Sequence, residues 1–138
     1  MQLAELLFVT ANQGKLREAE AVLGCRLAHR GLEVADGREA VRAEPLELEE
    51  VVRHKAAEAY RLLRAPVLVE DTSLELAGLA GFPGPLVRWL LASVGPAGIC
   101  RIAGCFEHRS ATARCIAFAT DGVADAVGAG VVTGSIVE

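Results

Sequence analysis

Two adjacent carboxylates, Glu70 and Asp71, follow the apolar run Val67 to Val69. Val67 to Val69 read as a buried strand after the breaker Pro66, so the doublet arrives where a strand leaves the core. Charge is costly there unless a cation meets it. A hard divalent metal carrying phosphate ligands satisfies that requirement.

Thr10, Ala11, Asn12, Gln13, Gly14 and Lys15 form a polar loop between an apolar run and a helical pattern. Such a loop aims backbone N–H groups outward, and Lys15 adds a mobile positive charge, which together suit a phosphate. An ordinary strand-to-helix turn, with Asn12 and Gly14 serving backbone geometry, accounts for the same residues. The spacing is not that of a Walker loop. Lys55 lies seven residues after Leu48, close to two helical turns, and so shares the direction of Leu48, Ala59 and Leu62 on the packing face. A lysine there either snorkels to the edge of the apolar face or pairs with Glu70, Asp71 or a bound phosphate. Glu44 precedes Pro45 just upstream and adds a third carboxylate if its loop folds back. Glu47, Glu49 and Glu50 crowd the same stretch and read as a solvated acidic helix start, so spacing alone does not single out Glu44.

These residues need elements to position them. Leu6 to Val9 form a strand, and Leu16, Ala19, Val22 and Leu23 repeat at helical spacing until Gly24. Leu48, Val51, Val52, Ala56, Ala59, Leu62 and Leu63 mark a second amphipathic helix leading into the Val67 strand. Gly78 to Pro85 is a Gly/Pro loop, and Leu86 to Leu91 and Pro96 to Ile102 read as short helices. Ala111 to Thr120 alternates small and apolar residues, Asp121 and Gly122 signal a turn, and Ala124 to Val137 continues as Gly-rich strand. Repeats and linkers are not evident, so residues 1–138 read as a single domain.

With 138 residues, 52% of them hydrophobic and 23% charged, the chain has the composition of one soluble globular domain. A net charge of -4 gives no basic footprint for DNA or RNA, yet leaves room for a small anion in a local positive pocket. No stretch reaches the roughly 18 uninterrupted apolar residues of a membrane span. Cys25, Cys100, Cys105 and Cys115 fit no zinc spacing and follow no basic leader or secretory signal, so free, buried thiols in a reducing cytoplasm are expected. His29, His54 and His108 share no metal-ligand spacing, and Ser73 and Ser110 lack a nucleophile-elbow context.

In combination, four blocks resemble the inosine triphosphate pyrophosphatase family, which hydrolyses aberrant purine nucleoside triphosphates. Phe8 to Lys15 (FVTANQGK) is similar to that family's T-x-N-x-x-K phosphate loop, and Glu44 with Pro45 and the helix bearing Lys55 to its acidic loop and lysine. Val67 to Thr72 (VLVEDT) is similar to its metal-binding strand, and Gly81 to Trp89 (GFPGPLVRW) to its G-x-PG loop and following helix. The likeness runs from about Leu6 to Glu138. It implies Thr10, Asn12 and Lys15 around phosphate, Lys55 on phosphate charge, and Glu44, Glu70 and Asp71 around magnesium (Mg2+). Asp71 is then the residue that orients or deprotonates the attacking water. The products implied are a nucleoside monophosphate and pyrophosphate. The fold implied is α/β: a central, elongated mixed β-sheet flanked by helices, with the active-site cleft between two lobes.

Family members continue past the segment similar to Gly134–Glu138 into an F-G-[WY]-D-P segment, a later lysine and an S-H-R motif. The expectation is therefore a C-terminally shortened member with an attenuated activity and an incomplete base pocket. The alternatives are a noncatalytic nucleotide-binding or protein-interaction module on the same scaffold, and a composite site completed by another subunit. Apolar sheet surface is expected to be uncovered, and with it self-association, as a homodimer, through Ala124 to Val137.

Overall fold

Two parallel strand pairs frame the region that holds Lys15, Glu70 and Asp71, and helices on opposite faces keep those strands in place. The computed structural model describes residues 1–34 and 47–137. Strand β1 (Leu7–Val9) leads through α1 (Gln13–Leu23) to β2 (Ala28–Arg30), and α2 (Leu48–Leu63) precedes β3 (Val67–Leu76). β1 runs parallel to β2 on one side and to β3 on the other. Phe8, Leu16 and Leu27 form one buried cluster, with Leu68 packed against it. Val9, Val52, Ala56, Ala59, Val67 and Val69 belong to the other. Period-two alternation along β3 separates the two cores, sending Leu68 toward α1 and its neighbours toward α2.

The rest of the sheet is antiparallel. β5 (Ser110–Thr120) pairs with β3 along its whole length, from Val67↔Thr120 to Leu76↔Ala111. β6 (Asp125–Ser135) pairs with β5, and the two-residue β4 (Pro83–Gly84) pairs with the end of β3. The order across the sheet is β2-β1-β3-β5-β6, a mixed sheet flanked by helices as the sequence leads one to expect. Asp121 shapes the β5–β6 turn by accepting from the backbone N–H groups of Val123 at 2.9 Å and Ala124 at 2.7 Å.

α3 (Val87–Gly104) contains a break where Gly95 adopts φ 68° and ψ 175° ahead of Pro96. Only glycine takes that backbone cheaply, and the proline ring favours an extended residue before it. The two short helices expected from the sequence are the two sides of this break. No helix among the described residues is long and apolar enough to cross a membrane.

Several expectations need correction. Glu70 and Asp71 do not close a short strand: β5 pairs with Glu70 through Ala117 and with Asp71 through Ile116, and β3 runs on to Leu76. The backbone there stays hydrogen-bonded on the β5 side, so the carboxylates ride mid-strand. Leu62, assigned to the apolar face of α2, is 49% exposed. The helix packs instead through Val51, Val52, Ala56 and Ala59, whose small or branched side chains let it lie close to the sheet. The cysteines are free, but Cys25, Cys105 and Cys115 are exposed and Cys100 is only partly covered. All of β6 is exposed, which accords with uncovered apolar sheet surface.

Burial ranks the residues that hold this scaffold. Phe8 is 1% exposed between β1 and α1, whereas Val22 on α1 is 85% exposed. Phe8→Ala is expected to cost about 3–5 kcal/mol in chemical denaturation, and Val22→Ala to stay within about 0.5 kcal/mol.

Candidate functional site

β1 and β3 part company just where the chemistry-bearing residues begin. Their last paired residues are Phe8 and Leu68, after which β3 continues while β1 turns into a loop. A crevice at the carboxyl ends of parallel strands, with crossovers leaving to opposite sides, is where open α/β sheets place ligands.

The loop after β1 is organised around Asn12. Buried Thr10 donates its N–H to the Arg30 carbonyl at 3.0 Å, and its hydroxyl oxygen accepts from the Asn12 N–H at 3.0 Å. The Asn12 carboxamide oxygen caps α1, accepting from Gly14 at 2.8 Å and Lys15 at 3.3 Å. A Cβ on Gly14 would stand 3.0 Å from that oxygen, so glycine allows the close approach. The amides of Asn12, Gly14 and Lys15 thus have acceptors within the loop already. A phosphate there either displaces the Asn12 carboxamide or relies on side-chain donors.

The lysines supply those donors. Lys15 Nζ lies 2.6 Å from Glu70 Oε1, with the side chains 28% and 13% exposed. Lys55 Nζ, on α2, donates to the Glu70 carbonyl oxygen at 2.9 Å. Glu70 is therefore engaged from both sides of the sheet, at its side chain by α1 and at its backbone by α2. Its second oxygen, Oε2, accepts from the Cys115 thiol at 3.5 Å and stands 3.5 Å from Thr72 Oγ1, a long contact for a hydroxyl donor. Desolvation, then the Glu70 carboxylate, raises the Cys115 thiol above its ordinary value and keeps the proton on sulfur. Asp71, next in the strand, projects to the opposite face from Glu70, and its Oδ1 accepts from the Thr72 N–H at 2.9 Å.

A cleft of about 650 Å³ opens over these groups. Thr10, Asn12, Lys15, Lys55 and Asp71 all line it. Glu70 is held at its side through Lys15, and Glu44 lies outside the described residues. The apolar lining of the cleft comes from Leu32, Val34, Val87 and Leu91. Sequence reasoning missed a charged pair lining the cleft: Glu33 forms an ion pair with Arg88, their side chains 61% and 60% exposed. The Arg88 guanidinium also lies 4.7 Å from the centre of the Trp89 ring. An exposed pair of this kind contributes about 0–1 kcal/mol. Arg88 had a signal, its place at the start of a helix after the Gly/Pro loop. Glu33 sits in a stretch with no periodicity and had none.

Among the described residues no three His, Cys, Asp or Glu side chains gather as a ligand set. Asp71, a carboxylate lining the cleft, would suit a hard divalent ion that takes one or two carboxylates and completes its shell with phosphate oxygens and water.

A model described as the Ham1 family matches residues 6–138. An inosine triphosphate pyrophosphatase of Yarrowia lipolytica is 41% identical over 110 residues, covering 80% of this chain and 56% of that protein. Its namesake from Schizosaccharomyces pombe is 36% identical over 115 residues, covering 82% and 57%. The chain thus spans a little over half the length of these curated relatives. Among solved structures, a nucleoside-triphosphatase / dITP/XTP pyrophosphatase from Mycobacterium abscessus aligns with a TM-score of 0.66 at 20% identity, covering 94% of this chain and 73% of that one. The Staphylococcus aureus Ham1 protein aligns with a TM-score of 0.60, also at 20% identity, covering 94% and 71%. At that identity the likeness is one of fold.

The cap geometry carries a direct test. Asn12→Ala removes the acceptor for two amides at the start of α1 and is expected to cost about 1 kcal/mol in thermal or denaturant unfolding. A loss below about 0.3 kcal/mol would mean that the loop is held by something else.

Proposed function

The chain belongs to the Ham1 family, and we propose on that footing that its cleft binds a purine nucleoside triphosphate and supports hydrolysis between the α and β phosphates. The products would be a nucleoside monophosphate and pyrophosphate. The observation that carries this reading is the convergence of Lys15 and Lys55 on the Glu70–Asp71 step at the mouth of a cleft large enough for a nucleotide. Two cations from separate helices, fixed before substrate arrives, are the arrangement that polyphosphate chemistry requires.

Each residue then has a task. Lys15 and Lys55 offset phosphate charge that would repel an incoming hydroxide, and Thr10 and Asn12 set the loop against which the phosphates lie. Asp71 orients the attacking water or takes its proton. Glu70 holds Lys15 in register. Magnesium, when bound, supplies further charge neutralisation on the phosphate oxygens; Asp71 would hold it, with Glu70 and Glu44 as the other carboxylates of the set. The apolar wall of Leu32, Val34, Val87 and Leu91 offers a surface for the ribose and base. Its lack of hydrogen-bonding side chains beyond Glu33 and Arg88 favours weak discrimination between bases by this part of the site.

One observation favours a second reading, a nucleotide-binding module without turnover. Glu70 is paired with Lys15 and Glu33 with Arg88, so two of the carboxylates at or beside the cleft already face a cation of the chain's own. Pyrophosphate release from a panel of nucleotides with magnesium separates the readings. Turnover that falls at least about 100-fold in Asp71→Asn supports hydrolysis. Nucleotide binding by calorimetry with no turnover above that variant supports the module.

Self-association and a cytoplasmic setting belong to the same proposal. β6 presents eleven exposed residues, with Val127, Val131 and Val132 each more than half exposed. No residue from Ala126 to Ser135 is charged. Such an edge invites pairing with a second copy. Free cysteines agree with a reducing compartment. Size-exclusion chromatography with light scattering is expected to give a dimer at tens of micromolar, and a clean monomer would rule the pairing out.

A further inference from the structure

We propose that Glu33 is an internal stand-in for a ligand phosphate, holding Arg88 in the wall of the cleft until a polyphosphate takes its place. This inference rests on the polyphosphate reading of the cleft. Glu33 and Arg88 form an ion pair, and both line the same cleft as Lys15 and Lys55. They come from different parts of the fold: Glu33 follows β2, and Arg88 lies in the first turn of α3. The pair therefore bridges two walls of the crevice.

Its exposure sets it apart from the other ion pair at the site. Lys15 and Glu70 are 28% and 13% exposed, at a contact that also ties α1 to β3. Breaking that pair leaves a carboxylate largely out of water. Glu33 and Arg88 are 61% and 60% exposed. If they separate, both ends are readily hydrated, so the pair is cheap to trade for another anion.

Chemistry supplies the replacement. A guanidinium fork donates to a phosphate in the same bidentate fashion as to a carboxylate, and a polyphosphate brings more charge than Glu33 offers. The Trp89 ring, 4.7 Å from the guanidinium carbon, limits how far the Arg88 head moves when its partner changes. Glu33 acts in two ways that point the same direction. It occupies Arg88, and its own charge opposes an anion entering the cleft. The ligand must overcome both, so Glu33 is an affinity-lowering residue in a site otherwise built to attract phosphate.

The test is calorimetric binding of inorganic tripolyphosphate to the wild type, Glu33→Gln, Arg88→Gln and the double variant, at low and at moderate salt. Both side chains are exposed, and unchanged thermal unfolding of each variant serves as the check on folding. Glu33→Gln is expected to bind about three- to tenfold more tightly, with the gain shrinking as salt is raised. Arg88→Gln is expected to bind more weakly, and the Glu33→Gln gain should be mostly lost in its background. Equal or weaker binding by Glu33→Gln overturns the proposal, as does a gain that persists in full without Arg88. If the wild type binds tripolyphosphate but Glu33→Gln does not tighten it, the internal stand-in alone fails. If the wild type and every variant fail to bind, the polyphosphate reading fails with it.

Discussion

Lys15 and Lys55 reach the same residue from opposite faces of the sheet, one at the carboxylate of Glu70 and the other at its carbonyl oxygen. That double engagement fixes the relation between three elements. α1 is tied to β3 through a charged pair with little access to water, and α2 is tied to the same step of the strand through a backbone oxygen. Neither lysine is left to wander over the surface. A partly buried carboxylate without Lys15 would be costly, and Lys15 without Glu70 would lose the contact that holds its ammonium beside the crevice. The cations are thus positioned by the fold before any ligand is present, which is the form in which electrostatic help is most effective.

The sheet makes this arrangement accessible. Had β1 stayed paired with β3 past Leu68, the backbone of Glu70 and Asp71 would be walled in on both edges. Because β1 ends at Val9 while β5 follows β3 to Leu76, one edge is secured and the other opens to the cleft. Alternation then divides the doublet, with Glu70 turned to α1 and Asp71 to the other face. The two carboxylates are adjacent in sequence but differ in duty: Glu70 is structural in its contacts, whereas Asp71 lines the space where a ligand would lie.

Much of this was legible before the structure. The seven-residue step from Leu48 to Lys55 put a lysine on the packing side of a helix, and the polar loop from Thr10 to Lys15 fell between a strand and a helix, as it does in the fold. Local periodicity carries such information. It does not carry pairing between strands, which is why β3 looked as if it ended at the doublet when β5 in fact extends it. β2 and β4, with three and two residues, are too short for alternation to register. The exposure of Leu62 shows the same limit, since the outer edge of an apolar stripe is decided by what packs against it. Glu33 and Arg88 meet only through the fold, across a separation no local pattern spans.

On the proposed reading, the crevice after β1 and β3 holds a polyphosphate beside Lys15 and Lys55. Backbone amide NMR shifts, followed while a nonhydrolysable nucleoside triphosphate is titrated with magnesium, test it most directly. Saturable shifts are expected at Thr10 to Lys15, Lys55 and Asp71 to Thr72, with the middle of β6 unaffected by the ligand. Saturable shifts centred elsewhere, or none within the cleft at millimolar nucleotide, would contradict it.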